Sequence, residues 1–539
     1  MAKLINIRIA QLPMSIDSKT SDVASAAAAK LRIPAESIVS CKIRKQSLDA
    51  RKGRELRYSY DVIVTIPTGL RLHGKKGTDW FVYEPVNFQL ASGGTKELTF
   101  RPVIIGAGPA GLFAAYCLAQ NGYQPIVIER GKSIDARNED VERFFATGVL
   151  DPNSNVQFGV GGAGAFSDGK LNTLIKDKDG RCAYVLETLV KFGAPEEITY
   201  KNKPHVGTDR LRGVVASMQE EIVRLGGEFR TETTVTGFRF TEGRLTAVEC
   251  GDKTVETTAA VLAIGHSARD TFYRLAEDGI TMEPKAFAMG VRVQHKRDWV
   301  NRTQYGEYAD KLPTADYKVT HTCENGRGVY SFCMCPGGYV VNASSEEGRL
   351  AINGMSNHAR DAENSNAAIV VTVTPEDYAQ YEASVPHPAL AGVAYQRLLE
   401  EAAYKAGEGA IPTQKFSDFQ AGRASTDCGE ITPVNKGAVH YTDLHQCLPA
   451  FMAESIGEGM LAFDRVMPGF ADGDALLQAI ESRTSSPLRI VRDDELQAPK
   501  HRGLYPCGEG AGYAGGIMSA ALDGIRVAES IMREYAPIV

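Results

Sequence analysis

The chain has 539 residues, of which 43% are apolar and 23% charged, and its net charge at neutral pH is −6. This length predicts two to four domains, and so weak a charge excludes a protein drawn as a whole to nucleic acid or membranes. No apolar run could cross a bilayer, the first residues lack the apolar block of a secretory signal, and the ten cysteines are scattered. We therefore expect a cytoplasmic protein without a membrane partner.

Residues 1–95 predict a small α+β domain. The runs "LINIRIA" and "RYSYDVIVTI" read as strands, and "SDVASAAAAKLRI" predicts a helix ended by Pro34. Cys41 to Arg57 carries seven basic residues against two acidic ones. Such a run is usually a solvated face. RNA docking is the alternative, which the lack of an aromatic residue before Tyr58 and the acidic chain disfavour.

After a linker-like "LASGGTKEL", the segment "RPVIIGAGPAGLFAAYCLAQNGYQPIVIER" predicts strand, glycine loop, helix and strand. Gly106 permits the tight turn, Gly108 lets the backbone approach a pyrophosphate, and Gly111 lets the helix press on the sheet. Glu129 ends the second strand, 18 residues beyond Gly111. Its carboxylate can accept hydrogen bonds from ribose hydroxyls and would repel a 2′-phosphate. The segment predicts a dinucleotide-binding unit, and Gly227 to Gly265 adds several short strands.

Two further glycine loops distinguish the cofactor. "QFGVGGAGAFSDGKLNT" is not followed by an acid-terminated strand, so it forms no second dinucleotide fold, and a mobile surface loop is its alternative interpretation. "PCGEGAGYAGGIMSAALDG" follows a strand and opens the last helix, with no strand left to supply a ribose acid. It therefore serves the same cofactor, which must be longer than an ADP half. This predicts FAD, with Glu509 placed for the ribityl hydroxyls.

Taken with "AAVLAIGHSARD", "YSFCMCPGG", "NGMS" and "RTSSPLRI", these motifs resemble those of the bacterial FAD-dependent (NAD(FAD)-utilizing) dehydrogenases of mostly unknown substrate, in the glutathione-reductase-fold superfamily. The resemblance implies an α/β protein with a Rossmann-like FAD domain of glutathione-reductase type, a β-meander and non-covalent FAD. The implied FAD domain is discontinuous (96–275 and 490–539), and an α+β substrate domain (276–489) interrupts it.

The expected cofactor-binding residues come from the three glycine loops and their flanks. The superfamily usually has aspartate where this chain has Glu509. No second complete dinucleotide domain is present, so NADH or NADPH would bind transiently, or another electron donor serves. The full set is Gly106, Gly108, Pro109, Ala110, Gly111, Glu129, Arg130, Arg137, Gly161, Gly162, Lys170, Gly265, Gly508, Glu509, Gly515, Gly516 and Ile517.

Cys333, Cys335 and His266 are the candidate catalytic residues. In a strand the two cysteines would share one face. They are either small core residues, a redox or substrate-contacting face beside the flavin, or metal ligands with His321 and Cys323. The spacing of that last set is not a usual zinc pattern, so we predict no metal. His266 follows the "LAIG" strand and is either a general acid/base or an exposed loop residue.

The loop "ESRTSSPLRI" offers Arg483, Thr484 and Ser485 to an anionic substrate, although a capped turn would use the same residues. His440, His445, Cys428 and Cys447 are interpreted as scattered polar residues. We expect an FAD-dependent dehydrogenase or reductase that moves a hydride through flavin N5 to or from an unidentified small substrate. The alternatives are an RNA-modifying or RNA-binding flavoprotein, a flavin monooxygenase, and a flavin-bound protein without turnover. Monooxygenases are disfavoured because W-x-W-x-I-P is missing and no convincing Asp-Gly signature is found.

Overall fold

A computed structural model describes residues 3–51, 55–91 and 93–538. Its strands, in chain order, are β1 (Leu4–Ser15), β2 (Ser40–Asp49), β3 (Arg57–Pro67), β4 (Phe81–Val82), β5 (Val103–Ile105), β6 (Ile126–Ile128), β7 (Glu228–Arg230), β8 (Gly237–Thr241), β9 (Arg244–Cys250), β10 (Lys253–Glu256), β11 (Ala260–Leu262), β12 (Met282–Pro284), β13 (Phe287–Lys296), β14 (Thr320–Thr322), β15 (Gly328–Cys335), β16 (Tyr339–Asn342), β17 (Ile352–Met355), β18 (Asn364–Val373), β19 (Ile411–Lys415), β20 (Asn435–Lys436), β21 (Val439–Tyr441), β22 (Leu476–Glu481), β23 (Leu488–Ile490) and β24 (Leu504–Pro506).

The α-helices connect these strands. They are α1 (Val23–Leu31), α2 (Pro109–Gln120), α3 (Ile134–Thr147), α4 (Arg181–Lys191), α5 (Thr208–Arg224), α6 (Arg269–Glu277), α7 (Arg297–Tyr305), α8 (Pro375–Tyr378), α9 (Ala391–Ala406), α10 (Phe416–Gln420), α11 (Ala450–Asp464) and α12 (Ile517–Glu534). Across the described residues, none of the helices has both the length and the apolar character needed to cross a membrane.

The chain divides into two compact units, one formed by residues 1–89 with 174–205 and the other by 90–173 with 206–539. The division that the sequence predicts (1–95, 96–275 with 490–539, and 276–489) stays a prediction. The two units of the structure group the residues differently: residues 174–205, which the sequence assigns to the FAD domain, belong to the first unit.

The first unit is built on an antiparallel sheet with strand order β2-β3-β1-β4. Its core combines alternate residues of β1 and β3 with the apolar face of α1. Residues 174–205 contact β2, where the Gln46 N–H donates to the carbonyl of Tyr200 over 2.7 Å. Much of the basic run forms β2, and Lys52, Gly53 and Arg54 lie outside the described residues.

The second unit contains a five-stranded parallel sheet with order β24-β11-β5-β6-β7 and an antiparallel meander, β8 to β10. The last strand, β24, therefore lies in the same sheet as β5, the strand that enters the first glycine loop. Helix α2 is buried along nearly its whole length and packs on α12. Gly524 permits this close packing, because a Cβ there would lie 2.1 Å from the Ala110 oxygen, and Gly111 lets α2 approach the first glycine loop, since a Cβ there would lie 1.9 Å from the Gly106 oxygen.

A second, seven-stranded sheet has the order β14-β15-β18-β13-β22-β19-β21. Apolar residues of α9 and α11 share one core with its central strands, which include Val291 and Ile369. Smaller sheets, β17-β16-β20 and β12-β23, complete the unit. The protein thus has a mixed α/β fold with a Rossmann-like domain, as the sequence predicts.

Candidate functional site

The three glycine segments line one cavity of about 400 Å³ in the second unit. They reach it from three parts of the sequence, near residues 106, 162 and 515. The sequence-predicted residues in its wall are Gly106, Gly108, Pro109, Ala110, Glu129, Arg130, Gly162, Lys170, Gly265, His266, Cys333, Arg483, Thr484, Glu509, Gly515, Gly516 and Ile517. Gly111, Arg137, Gly161, Cys335, Ser485 and Gly508 are not part of the wall.

The first glycine loop turns from β5 into α2. Gly106 has a φ of 100°, in the left-handed region that favours glycine. A Cβ there would lie 2.4 Å from the Ala263 oxygen. Gly108 differs, because its φ of −77° suits any residue and the nearest atom to an added Cβ is 3.8 Å away. Glycine at 108 therefore leaves room in the cavity rather than allowing a special backbone conformation.

Glu129 joins the loops around the cavity. Its buried carboxylate accepts hydrogen bonds from the N–H groups of Ala107 (2.8 Å), Gly131 (2.9 Å) and Gly159 (2.9 Å). An ionised carboxylate has about four acceptor positions, so these three bonds leave acceptor capacity for a further donor in the cavity. The sequence indicated Glu129 but not the hydrogen bond that joins its carboxylate to Gly159 of the second glycine loop.

The second glycine loop is held against the other two. The Gly161 N–H donates to the Ala107 oxygen over 2.8 Å. An added Cβ at Gly162 would lie 2.9 Å from the Gly108 Cα, and one at Gly164 3.1 Å from the Ile517 side chain. Phe158, Val160 and Phe166 are buried. The alternative interpretation of this segment as a mobile surface loop is wrong.

Arg137, expected to bind the cofactor, instead lies beneath the second loop. Its fully buried guanidinium donates to the carbonyls of Asn155, Val156, Gly159 and Val160 over 2.8–3.2 Å. Burial lowers the pKa of Arg137 to about 9, so the group stays charged at neutral pH. Arg137 therefore holds the loop in place and does not reach the cavity.

We expect Arg137→Lys to lower the free energy of unfolding by about 2 kcal/mol, because one ammonium cannot reach four carbonyls that a planar fork satisfies. Limited proteolysis should then cut faster between residues 153 and 162. Arg143→Lys is the control, since Arg143 lies on the same helix with its side chain 52% exposed. Equal cleavage of both variants would contradict this role.

The third glycine segment brings Glu509 into the cavity wall. His266 Nδ1 and Glu509 Oε1 form a hydrogen bond of 3.1 Å, and His266 Nε2 has no hydrogen-bond partner. The His266 side chain is only 11% exposed, so its interpretation as an exposed loop residue is wrong. Gly515 and Gly516 precede α12, and an added Cβ at either would meet no atom within 4 Å. Behind the wall, the Gly508 N–H donates to Asp523 over 2.8 Å.

Arg130 closes the cavity near Glu129. Its guanidinium lies 4.5 Å from the centre of the Phe158 ring and donates to Asp270 over 2.8 Å. Gly265, the residue before His266, packs against the third segment, because a Cβ at Gly510 would lie 2.4 Å from the Gly265 oxygen.

Another part of the wall is formed by Lys170, Phe332 and Cys333. Lys170 Nζ donates to the Met334 carbonyl and lies 3.7 Å from Asp168. Burial lowers the pKa of Lys170, but Asp168 and the two nearby cysteines outweigh it and raise that pKa. Cys335 is fully buried behind Cys333. The two cysteines therefore differ in exposure, whereas a regular strand would present them alike.

Arg483 belongs to a buried ion-pair network. It donates to both oxygens of Glu400 over 3.1 Å, and Arg269 donates to the same carboxylate over 2.7 and 2.8 Å. Arg483 therefore shares the single negative charge of Glu400 with Arg269. Thr484 donates to the Ala288 carbonyl over 2.8 Å, and Ser485 does not line the cavity. Arg483 and Thr484 line the cavity, and the substrate-binding roles of the three residues stay predictions.

The metal interpretation of His321 and Cys323 with Cys333 and Cys335 is not supported. His321 and Cys323 instead lie near Glu458, with 2.8 Å between His321 Nε2 and a Glu458 oxygen. His445 hydrogen-bonds Asp443 over 2.7 Å. Within the described residues, His440, His445, Cys428 and Cys447 form no candidate metal cluster.

Several wall residues were not selected from the sequence. Asn353 and Gly354 belong to the "NGMS" motif, which by itself indicated no binding or catalytic role. Gln157 precedes the second glycine loop, and Asp168 and Asn172 flank Lys170. The wall residues that the sequence did not single out include Gln157, Asp168, Asn172, Phe332, Asn353 and Gly354. A polar residue beside a glycine loop was the signal available for Gln157 and Asp168.

Family models match three segments of the chain. Residues 104–157 match an NAD(P)-binding Rossmann-like domain, 286–484 match the C-terminal domain-like region of FAD-dependent proteins, and 3–65 match a domain of unknown function. These matches place the protein in the class of FAD-dependent oxidoreductases with a Rossmann nucleotide-binding domain. A Clostridium beijerinckii protein, described as uncharacterized, is 46% identical over 535 residues, which are 98% of this chain and 99% of that protein. The chain belongs to the same family as this relative.

Solved flavoenzyme structures are distant. Glycine oxidase from Bacillus cereus is 12% identical with a TM-score of 0.31, covering 80% of this chain and 95% of that one. Amadoriase I from Aspergillus fumigatus is 13% identical with a TM-score of 0.35, covering 84% and 88%. L-proline dehydrogenase from P. horikoshii is 12% identical with a TM-score of 0.31, covering 81% and 92%. Likeness this low carries no argument about the substrate.

Proposed function

We propose that the protein is a dehydrogenase or reductase that exchanges a hydride between non-covalently bound FAD and a small-molecule substrate. The observation that carries this proposal is the single cavity shared by all three glycine segments and Glu129. A cofactor that needed only an ADP site would leave the segment near residue 515 without a purpose. The position of β24 beside β11, in the same sheet as β5, supports a discontinuous FAD domain of glutathione-reductase type.

The residues of the cavity fit FAD. Gly515 and Gly516 leave open space where a side chain would project, and at Gly108 an added Cβ would meet only the Gly162 Cα, at 3.8 Å. The N-termini of α2 and α12 border that space, and helix N-termini favour anions and polar oxygen atoms. His266 Nε2 is a buried polar atom without a partner in the cavity wall. A long, polar and anionic cofactor would satisfy these groups.

The chain's own residues bind and orient. The first loop and Glu129 hold the ADP half, and Gly162, Glu509 and the start of α12 hold the remainder. His266, fixed through Nδ1 by Glu509, can hold or release a proton at Nε2. FAD, when bound, supplies hydride chemistry at N5. NADH or NADPH would bind transiently as the electron donor.

The alternatives have weaker support. In the first unit, Arg44 pairs with Asp61 over 3.1 Å and Arg51 with Asp49 over 2.6 Å. Because acids neutralise part of the basic run, RNA docking is not favoured. A monooxygenase would use the same cavity and stays an outcome of the test. The scattered cysteines support a cytoplasmic location, which cell fractionation would check.

Absorption spectroscopy of the purified protein, followed by acid release of its cofactor, tests this proposal. We expect one FAD per chain, and bleaching of the flavin during anaerobic titration with NADH or NADPH. Oxygen insertion into a product would instead identify a monooxygenase. A colourless protein that takes up NAD but no FAD would overturn the proposal.

A further inference from the structure

The strand that carries Cys333 is interrupted at that residue. β15 pairs regularly with β18 as far as Phe332 and Ala368, and pairing resumes only at Cys335 and Asn366. Cys333 has a φ of 41°, which is uncommon for a residue with a side chain. Bulges next to binding sites re-aim side chains. Here the bulge sets Cys333 in the cavity wall and leaves Cys335 fully buried.

Two cations fix the backbone of this bulge. Arg292 Nη1 donates to the Cys333 carbonyl over 3.2 Å, and Lys170 donates to the Met334 carbonyl. The Cys335 thiol approaches the same Cys333 carbonyl at 3.4 Å. Gly354 packs directly on the Cys335 thiol, because an added Cβ at Gly354 would lie 2.7 Å from the Cys335 sulfur. The two cysteines are therefore held together in one conformation.

The surroundings shift the pKa values of the two thiols in opposite directions. A hydrogen bond from Cys335 lowers the pKa of Cys333 well below its usual value, and Lys170 and Arg292 add to this against the effect of burial. The same hydrogen bond and burial raise the pKa of Cys335 well above its usual value. Cys333 therefore lies in the cavity wall with a pKa shifted toward the thiolate form, and buried Cys335 has a pKa shifted toward the thiol form.

We propose that Cys333 and Cys335 are a dithiol that reduces small-molecule disulfides bound in this cavity. The Cys333 thiolate attacks one sulfur of the substrate R–S–S–R, which forms Cys333–S–S–R and expels RS⁻, and solvent protonates that ion. Cys335 then attacks the Cys333 sulfur, its proton leaves with the second RS⁻, and a Cys333–Cys335 disulfide remains. Two electrons pass from the dithiol to the substrate, and two S–H bonds form in the released thiols.

A disulfide substrate explains why two thiols are present. A single thiolate is enough to form a covalent adduct, whereas a neighbouring thiol is needed to release a mixed disulfide. Phe332, which is 38% exposed, adds an apolar surface beside the attacking sulfur. Return of the disulfide to the dithiol takes two electrons from the reduced flavin and so rests on the proposed function. The thiol–disulfide exchange itself needs no flavin and is independent of that function.

The test treats the full-length protein, reduced and desalted without oxygen, with bis(2-hydroxyethyl) disulfide. Intact mass, peptide mapping and released thiol are the readouts. The wild type should release two thiols per chain and form a Cys333–Cys335 disulfide. Cys335→Ser should release one thiol and keep one half of the probe on Cys333. Cys333→Ser should react at least about tenfold more slowly, and Cys250→Ser, a half-exposed cysteine whose pKa burial raises, should match the wild type.

The outcomes separate this inference from the proposed function, because FAD content is measured on every sample. If Cys335→Ser forms no adduct at Cys333, or if the wild type keeps a mixed disulfide unresolved, the dithiol proposal is overturned whether or not FAD is bound. A wild type that lacks FAD but completes the exchange would overturn the proposed function alone.

Discussion

We expect Glu400→Gln to lower the free energy of unfolding of the second unit by about 3–5 kcal/mol. The Glu400 carboxylate is fully buried and accepts from Arg269, Arg483 and the Ser482 hydroxyl, the last over 2.6 Å. Arg269 and Arg483 hold the pKa of Glu400 well below its usual range despite burial. A neutral amide would leave excess positive charge without water around it. It would also turn an N–H₂ group toward a guanidinium.

Urea denaturation followed by tryptophan fluorescence measures this loss. Trp80 and Trp299 are the two tryptophans of the chain, one in each unit, so a Trp80→Phe background reports on the second unit alone. Glu401→Gln is the matched control, because Glu401 is 40% exposed and pairs with Arg349 on the surface. Its effect should stay below about 1 kcal/mol. Similar losses in the two variants would contradict a buried network.

We expect Gly108→Val and Gly515→Val each to weaken FAD binding by about a hundredfold while the protein still folds. Neither residue has a positive φ, and both line the cavity. An added Cβ at Gly515 would meet no atom within 4 Å, and one at Gly108 would meet only the Gly162 Cα, at 3.8 Å. A glycine at such a position lets the backbone approach a phosphate-bearing cofactor closely. At Gly108, which caps α2, loss of capping should cost no more than about 1 kcal/mol of stability.

FAD affinity by fluorescence titration and thermal midpoint without cofactor are the two measurements. Gly213→Val is the control, because Gly213 is an exposed glycine of α5 that does not line the cavity. It should bind FAD as the wild type does. If the Gly108 and Gly515 variants bind FAD normally, another region holds the cofactor and the proposed function fails.

Motif spacing was enough to predict how the residues of the first glycine loop are arranged. Gly106, Gly108, Gly111 and Glu129 lie within one strand–loop–helix–strand unit, so their spacing alone indicates their arrangement. The segment near residue 515 could be assigned only by elimination, because no second strand follows it. Its neighbour His266 depends on a long-range pairing with Glu509, which spacing does not reveal.

The polar core could not be predicted. Glu400 and Glu401 are adjacent in one helix, yet one is buried between two arginines and the other faces solvent. Arg137 has the residue type of a phosphate ligand and instead binds four carbonyls of a loop. The bulge at Cys333 depends on β18, and a regular alternation pattern cannot show where pairing slips.

The first unit takes one of its parts from a segment that follows the first glycine loop and β6. During synthesis, residues 1–89 therefore leave the ribosome long before residues 174–205, which include α4 and the backbone partner of Gln46. The four strands of the amino-terminal sheet are all made before that segment, which can pack on β2 only after β5 and β6 have emerged. Deleting residues 1–89 would therefore remove the sheet but leave behind the segment that packs on it.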